Sequence, residues 1–233
     1  LLTPALVLCF EHLIAPRASR ASNREADRID EQAPVIVAGV GRFGQVVSRL
    51  LIANGEKVVL LDHAPDLVDQ MRRFGVKTFY GDATRPDLLE AAGIGEAKLL
   101  VAALDDREQQ TMLVRHVAQN HSGCQIIARA FDRLHAYELD KAGAHHVERE
   151  VFEGALVAGR EALCRLGTHP FRAEKKMRAF RRHDLVSYND LRQHWRAEGL
   201  SKEYITATRN RRDELHEVMQ ADDGARHDHS DRG

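Results

Sequence analysis

Gly39, Gly41 and Gly44 stand at GxGxxG spacing in the stretch VIVAGVGRFGQVVSRLL, behind the apolar run Val35–Ala38 and ahead of a helical pattern. That layout suits phosphate. Gly39 permits a tight turn, Gly41 lets a phosphate approach the backbone, and Gly44 lets the helix pack close to the strand. The helix start adds unpaired N–H groups and a positive dipole end, so Arg42 and Phe43 join the glycines as candidate nucleotide contacts. Asp62 closes a second apolar run, KVVLLD, 23 residues after Gly39, where the ribose of an adenosine would sit. A carboxylate there accepts from the 2′- and 3′-hydroxyls and repels a 2′-phosphate, which favours AMP or NAD(H) over NADP. A further turn, YGDAT, offers Asp82, Ala83 and Thr84. Asp82 and Thr84 can cap the next helix, border the adenine, or do both. A strand–turn–helix that has lost its ligand would carry the same pattern.

One feature points to hydride chemistry. Tyr137 and Lys141 form YxxxK, an i,i+4 pair on one helix face, as in short-chain dehydrogenases where the lysine lowers the phenol's pKa. Those enzymes also place a serine ahead of the tyrosine and use a different glycine pattern. Here Tyr137 sits in an ordinary amphipathic stretch, RLHAYELDKAG. The thirteen histidines form no HExxH, and His227-Asp228-His229 lies in a stretch that cannot hold ligand geometry. The residues therefore favour a chain without catalysis, and an NAD-dependent oxidoreductase is the alternative.

The elements that must position these groups alternate. Strands are expected at Val35–Ala38, Lys57–Leu61, Lys77–Tyr80, Lys98–Ala102, Gln125–Ala130 and near His146–Glu148. Helices are expected at Phe43–Asn54, Pro65–Phe74, Pro86–Ala92, Arg107–Asn120 and Leu134–Ala142. Strand–helix alternation with short connections predicts an α/β fold, a Rossmann-like doubly wound parallel sheet, here followed by C-terminal helices.

At 233 residues the chain holds one good-sized domain and an appendage. Hydrophobic residues make up 43% and charged ones 30%, and 34 Lys+Arg balance 35 Asp+Glu, so no bulk charge argues for nucleic acid. Three scattered cysteines, Cys9, Cys124 and Cys164, fit neither a disulfide framework nor a zinc site and suit a reducing compartment. Residues 1–14 read as the end of a membrane helix followed by basic residues, with a short docking helix or a misassigned start as alternatives. Residues 15–33 read as a linker or solvated helix, 34–150 as the nucleotide-binding domain, 151–200 as a helical dimerisation and regulatory extension, and 201–233 as a charged tail expected to be disordered. The basic run Arg172–Arg182 has no helix-turn-helix beside it and reads as a solvated helix face or a protein contact.

The words GRFGQ, FGVKTFYGDATRPDLLEAAG, QIIARA, VEREVFEGAL and FRRHDL together resemble the cytoplasmic RCK/KTN (TrkA-N) domain of KefB/KefC-type glutathione-gated potassium efflux antiporters. The resemblance covers about residues 35–185. It implies a regulatory domain, with AMP or NAD(H) as a structural nucleotide, glutathione holding the efflux path closed and glutathione adducts opening it. It further implies that Arg49 and Arg149 grip glutathione, that Phe74 is the aromatic displaced by an adduct, and that Asp184 is the remaining contact, where some relatives carry Asn. It implies a homodimer through the apolar helix Val151–Gly167, a transmembrane antiporter domain, a flavodoxin-like ancillary subunit, and a place at the cytoplasmic face of the bacterial inner membrane. Two arginines suit a ligand bearing two carboxylates. For Arg49 the residues alone leave another partner open, Glu148 or Glu150 of this or a second chain. An RCK domain sensing only nucleotide is a further alternative.

Overall fold

The structure, a computed structural model, describes residues 25–224. The chain divides into two compact units, Leu1–Ala103 and Leu104–Gly233. The first holds β1 (Val35–Ala38), α1 (Arg42–Ala53), β2 (Val58–Asp62), α2 (Pro65–Arg73), β3 (Phe79–Tyr80), α3 (Pro86–Ala91) and β4 (Leu99–Ala102). The second holds α4 (Arg107–Asn120), β5 (Gln125–Ala130), α5 (Arg133–Ala142), β6 (His146–Arg149), α6 (Phe152–Arg165), α7 (Pro170–Glu198) and α8 (Lys202–Gly224). The six strands run in the order β3-β2-β1-β4-β5-β6. This is the expected Rossmann-like α/β sheet with C-terminal helices.

Every residue of β1 is buried, because helices cover both faces of a parallel strand and leave no side for polar alternation. β1 pairs in parallel with β2 from Val35↔Val58 to Ala38↔Leu61, and with β4 from Val35↔Leu99 to Ala38↔Ala102. The chain order reverses at β1, so the crevice beyond its carboxyl end is the place where open α/β sheets take ligands. Val37, Leu60 and Val101 are fully out of water and pack with Met71 of α2 and Val47 and Leu51 of α1. Each such side chain contributes about 1.5–3 kcal/mol by burial, and together they hold the glycine turn against the sheet. β3 is shorter than the pattern predicts. The carbonyl of Thr78 accepts from Arg72 Nε and Nη2 at 2.9 and 2.7 Å, which takes it out of strand pairing.

In the second unit β5 and β6 pair in parallel from Ile127↔His146 to Ala130↔Arg149. α6 has no buried residue, although its sequence carries an apolar stripe. The expectation of a disordered tail from residue 201 needs correction, since Lys202–Gly224 is helical. Tyr204 is buried against Tyr137 and Leu191, with Ala207 beside them, and burial of that face outweighs the surrounding charge. Residues 225–233, and the proposed membrane-helix end at 1–14, lie outside the described residues. Among the described residues no helix is long and apolar enough to cross a membrane.

Candidate functional site

The first unit sets the predicted nucleotide residues at the carboxyl ends of the neighbouring parallel strands β1, β2 and β3. Gly39 has φ 94°, a conformation that excludes most side chains, and its N–H donates to Leu61 O at 2.8 Å. A Cβ on Gly44 would lie 1.9 Å from Gly39 O, so only glycine lets α1 start this close to the strand. Gly41 is the N-cap of α1 and supplies no side chain to the first-turn N–H groups. Elsewhere Asp106 and Asp132 cap α4 and α5 through Gln109 N and His135 N, and α2 and α3 open with proline. The start of α1 is thus shaped to receive an anion from outside the helix.

Asp62 is 7% exposed, and one of its oxygens accepts from Val40 N at 2.8 Å while the other accepts from Ala64 N at 2.8 Å. The carboxylate therefore fastens the glycine turn to the end of β2, and each oxygen keeps a further lone pair for a ribose hydroxyl. Asp82 accepts from Thr84 N at 2.9 Å and from Thr84 Oγ1 at 2.7 Å, closing the turn on itself, with Ala83 buried inside it. Arg42 is exposed at the first position of α1, and Phe43 packs on the core of this unit. The donors, the close backbone approach and the acid fit an adenine nucleotide.

Two residues expected to meet a second ligand also lie in this unit. Arg49 is exposed on α1, with Nε donating to its own helix at Gln45 O, 3.3 Å away. Phe74 caps the carboxyl end of α2 and is 74% exposed, unusual for an aromatic ring with no packing role to fill.

The second unit holds the other two. Asp184, on α7, accepts from both Arg133 of α5 and Arg149 at the end of β6. Their side chains are 9%, 28% and 16% exposed respectively, so the cluster is half-buried and carries one net positive charge. The two guanidiniums together more than offset the charge of the Asp184 carboxylate. Arg133 was not legible as part of the site: its only signal is the position after the helix cap Asp132. Arg149 also lies 3.7 Å from the Phe152 ring centroid, a cation–π contact that holds the guanidinium in place.

Beside this cluster runs a groove of about 900 Å³, lined by Leu156 and Leu163 of α6, Met177 and Phe180 of α7, and Leu215 and Met219 of α8. Arg149 and Asp184 line it too. Behind Arg149, the buried Arg129 donates to Glu150 Oε2 at 3.2 Å, to Asp105 Oδ1 at 2.9 Å and to Leu104 O. Glu150, one of the acids considered for Arg49, is thereby bound within its own unit.

The YxxxK pair has no catalytic geometry. Tyr137 is fully buried, its hydroxyl donates to Tyr188 O at 3.3 Å, and its ring lies 4.9 Å from Tyr188 and 5.7 Å from Trp195. Burial pushes its phenol far above the ordinary range, the reverse of what a proton donor to substrate needs. Lys141 lies over the Trp195 ring, 5.9 Å from its centroid. No group of His, Cys, Asp and Glu among the described residues could hold a metal ion.

Comparison with known proteins agrees with this geometry. The TrkA-N domain family matches residues 35–150, and the potassium efflux system KefB C-terminal domain family matches residues 154–233. The glutathione-regulated potassium-efflux system protein KefC of Escherichia coli is 47% identical over 190 residues, which cover 81% of this chain and 30% of that protein. This chain thus spans under a third of the length of such relatives. The Shewanella denitrificans Kef CTD, solved in an AMP-bound form, is 42% identical with a TM-score of 0.63, covering 71% of this chain and 99% of that one. The TrkA-N domain of the Escherichia coli inner membrane protein ybaL shares the fold at 22% identity, with a TM-score of 0.51, covering 60% of this chain and 100% of that one. With a Rossmann-like sheet, a glycine turn at the end of β1 and a second unit continuing into the KefB-type segment, the chain belongs to the RCK (TrkA-N) domain family of KefC-type potassium-efflux systems.

Proposed function

We propose that this chain is the ligand-sensing regulatory domain of a glutathione-gated potassium/proton antiporter and carries no catalytic activity of its own. The observation that carries the reading is the Arg133–Asp184–Arg149 cluster, two half-buried guanidiniums sharing one carboxylate. Its surplus positive charge suits a carboxylate ligand, and glutathione, which the KefC relative's name invokes, has two. Arg149 and Arg49 supply guanidinium contacts, Asp184 accepts from the ligand's ammonium, and Phe74 is the ring that a bulky adduct displaces.

In the first unit Gly39, Gly41, Arg42, Phe43 and Gly44 hold the phosphate, Asp62 the ribose hydroxyls, and Asp82, Ala83 and Thr84 border the adenine. The nucleotide is AMP or NAD(H), and the AMP in the Shewanella relative supports the first. It acts as a structural ligand.

The exposed helix α6 and its groove support a homodimer through Val151–Gly167. The transmembrane antiporter domain precedes this segment in the full protein, a flavodoxin-like ancillary subunit activates it, and the assembly sits at the cytoplasmic face of the bacterial inner membrane. The oxidoreductase alternative lacks an accessible proton donor, since Tyr137 is buried.

Thermal denaturation with reduced glutathione tests the reading. A ligand at one hundred times its dissociation constant adds about 2.7 kcal/mol to the folded state. The wild type should be stabilised by millimolar glutathione, and Arg49→Ala and Arg149→Ala should each lose most of the shift while keeping the response to AMP. No shift in the wild type refutes the glutathione assignment, and a response to AMP alone leaves an RCK domain that senses only nucleotide.

A further inference from the structure

Residues 25–33, ahead of β1, are not a free linker. Asp27 N donates to Tyr80 O at 2.8 Å, and Tyr80 N donates to Asp27 Oδ2 at 2.5 Å. Three residues on, Asp30 Oδ1 and Glu31 Oε2 each lie 2.9 Å from Lys77 Nζ. Asp27 lies opposite Tyr80 and Asp30 opposite Lys77, so the pairs step in opposite directions and the segment runs antiparallel along the outer side of β3. β3 is the end strand of the sheet, and an open strand edge is a pairing hazard that this segment covers. Arg72 Nη2 adds a bond to Asp27 Oδ2 at 2.5 Å, and Gln32 packs close over Gly93.

Besides the Asp27–Tyr80 bonds, ion pairs tie the segment down, the Arg72–Asp27 pair partly buried and the Lys77 pairs open to solvent. The side chains of Lys77, Asp30 and Glu31 are 56%, 66% and 48% exposed. The hydrogen bond from Lys77 holds the Asp30 carboxyl below its usual range, and the bonds to Asp30 and Glu31 raise the Lys77 ammonium. Pairs this open to solvent weaken as salt rises, because the screening length falls from about 10 Å at 0.1 M to about 3 Å at 1 M.

We propose that residues 27–31 are an ionic-strength-sensitive latch on the β3 edge, docked at low monovalent salt and released as salt rises. The latch stands on contacts within the first unit and does not depend on the glutathione reading. It gains a consequence from that reading: its Lys77 end adjoins the Phe74–Gly75 turn, and its Tyr80 end adjoins the Gly81–Thr84 turn assigned to the nucleotide. Release by salt would therefore loosen both turns in a protein whose relatives move potassium.

Amide hydrogen exchange on the whole chain tests the latch. Between about 0.05 and about 1 M KCl, protection of the Asp27 and Tyr80 amides should fall about tenfold while β1 amides hold. NaCl should act as KCl does. At low salt the Asp30→Asn/Glu31→Gln double variant and Lys77→Met should each reproduce the high-salt exchange and lose the salt dependence. Salt-independent exchange at Asp27 and Tyr80, exchange in step with β1, or a response to KCl but not NaCl would each overturn the proposal. The thermal response to glutathione, measured on the same samples, reads the ligand assignment separately.

Discussion

Asp184→Asn separates two roles for the acid on α7, counter-ion and ligand contact. The wild-type carboxylate lies between Arg133 and Arg149, both more than two-thirds buried, and offsets one of their two charges. Removing one partner of a buried ion pair costs about 3–5 kcal/mol, and the residual exposure of these arginines lowers that figure. Asparagine keeps one acceptor but no charge, so the two guanidiniums then repel each other without compensation. The expected loss in the ligand-free protein is about 2 kcal/mol, or roughly 4–8 °C in a chain of this size. Glutathione should reverse the sign of the comparison. The asparagine oxygen still accepts from the ligand's ammonium, while the ligand's carboxylate meets two uncompensated guanidiniums instead of one net charge, so affinity should rise about tenfold, close to 1.4 kcal/mol. The assay is differential scanning calorimetry with and without glutathione, joined by a titration of each protein. A second substitution, Arg133→Met, should recover stability in the Asp184→Asn background and cancel the affinity gain, as coupled neighbours do. An unchanged melting temperature in the ligand-free variant, or weaker glutathione binding, would refute the counter-ion role.

Further expectations concern the packing that supports these sites. His135 is fully buried, and burial, with Arg107 and Arg129 nearby, lowers its pKa to about 4 from an ordinary 6.5. Above pH 6.5 both states are neutral at this position and it adds no pH dependence; below it the unfolded chain takes up a proton that the folded chain refuses. Stability should therefore fall by about 3 kcal/mol as pH drops from 6.5 to 4, and His135→Gln should flatten that slope in urea titrations at stepped pH. Gly44→Ala forces a Cβ to within 1.9 Å of Gly39 O, so the turn must shift. It should cost about 3 kcal/mol and abolish AMP binding, whereas Gly154→Ala, with nothing within 4 Å, should raise stability by up to about 1 kcal/mol.

The glycine turn was legible because its determinants are local. A glycine turn, the strand before it, the helix after it and an acid closing the next strand are all set by backbone geometry at fixed offsets, and the structure brings Gly39, Gly44 and Asp62 together with Asp62 bonded to Val40 N. The β-strand positions were legible for the same reason, since buried parallel strands read as short apolar runs. The register of charges was not. Arg133 and Asp184 lie 51 positions apart, and nothing local marks either as the other's partner. Residues 25–33 and 202–224 misled in a like manner, because their composition is polar while their order comes from a strand edge in one case and an aromatic cluster in the other.

Sequence alone determined the sheet and the glycine turn, which follow from short-range spacing and apolar periodicity, and the family, which follows from the matching motifs. Tertiary structure alone decided that Asp184 is neutralised, that Tyr137 is a core residue, and that the segment before β1 is strapped to β3. Charge pairing and burial depend on which distant elements meet, and that is a property of the packed chain.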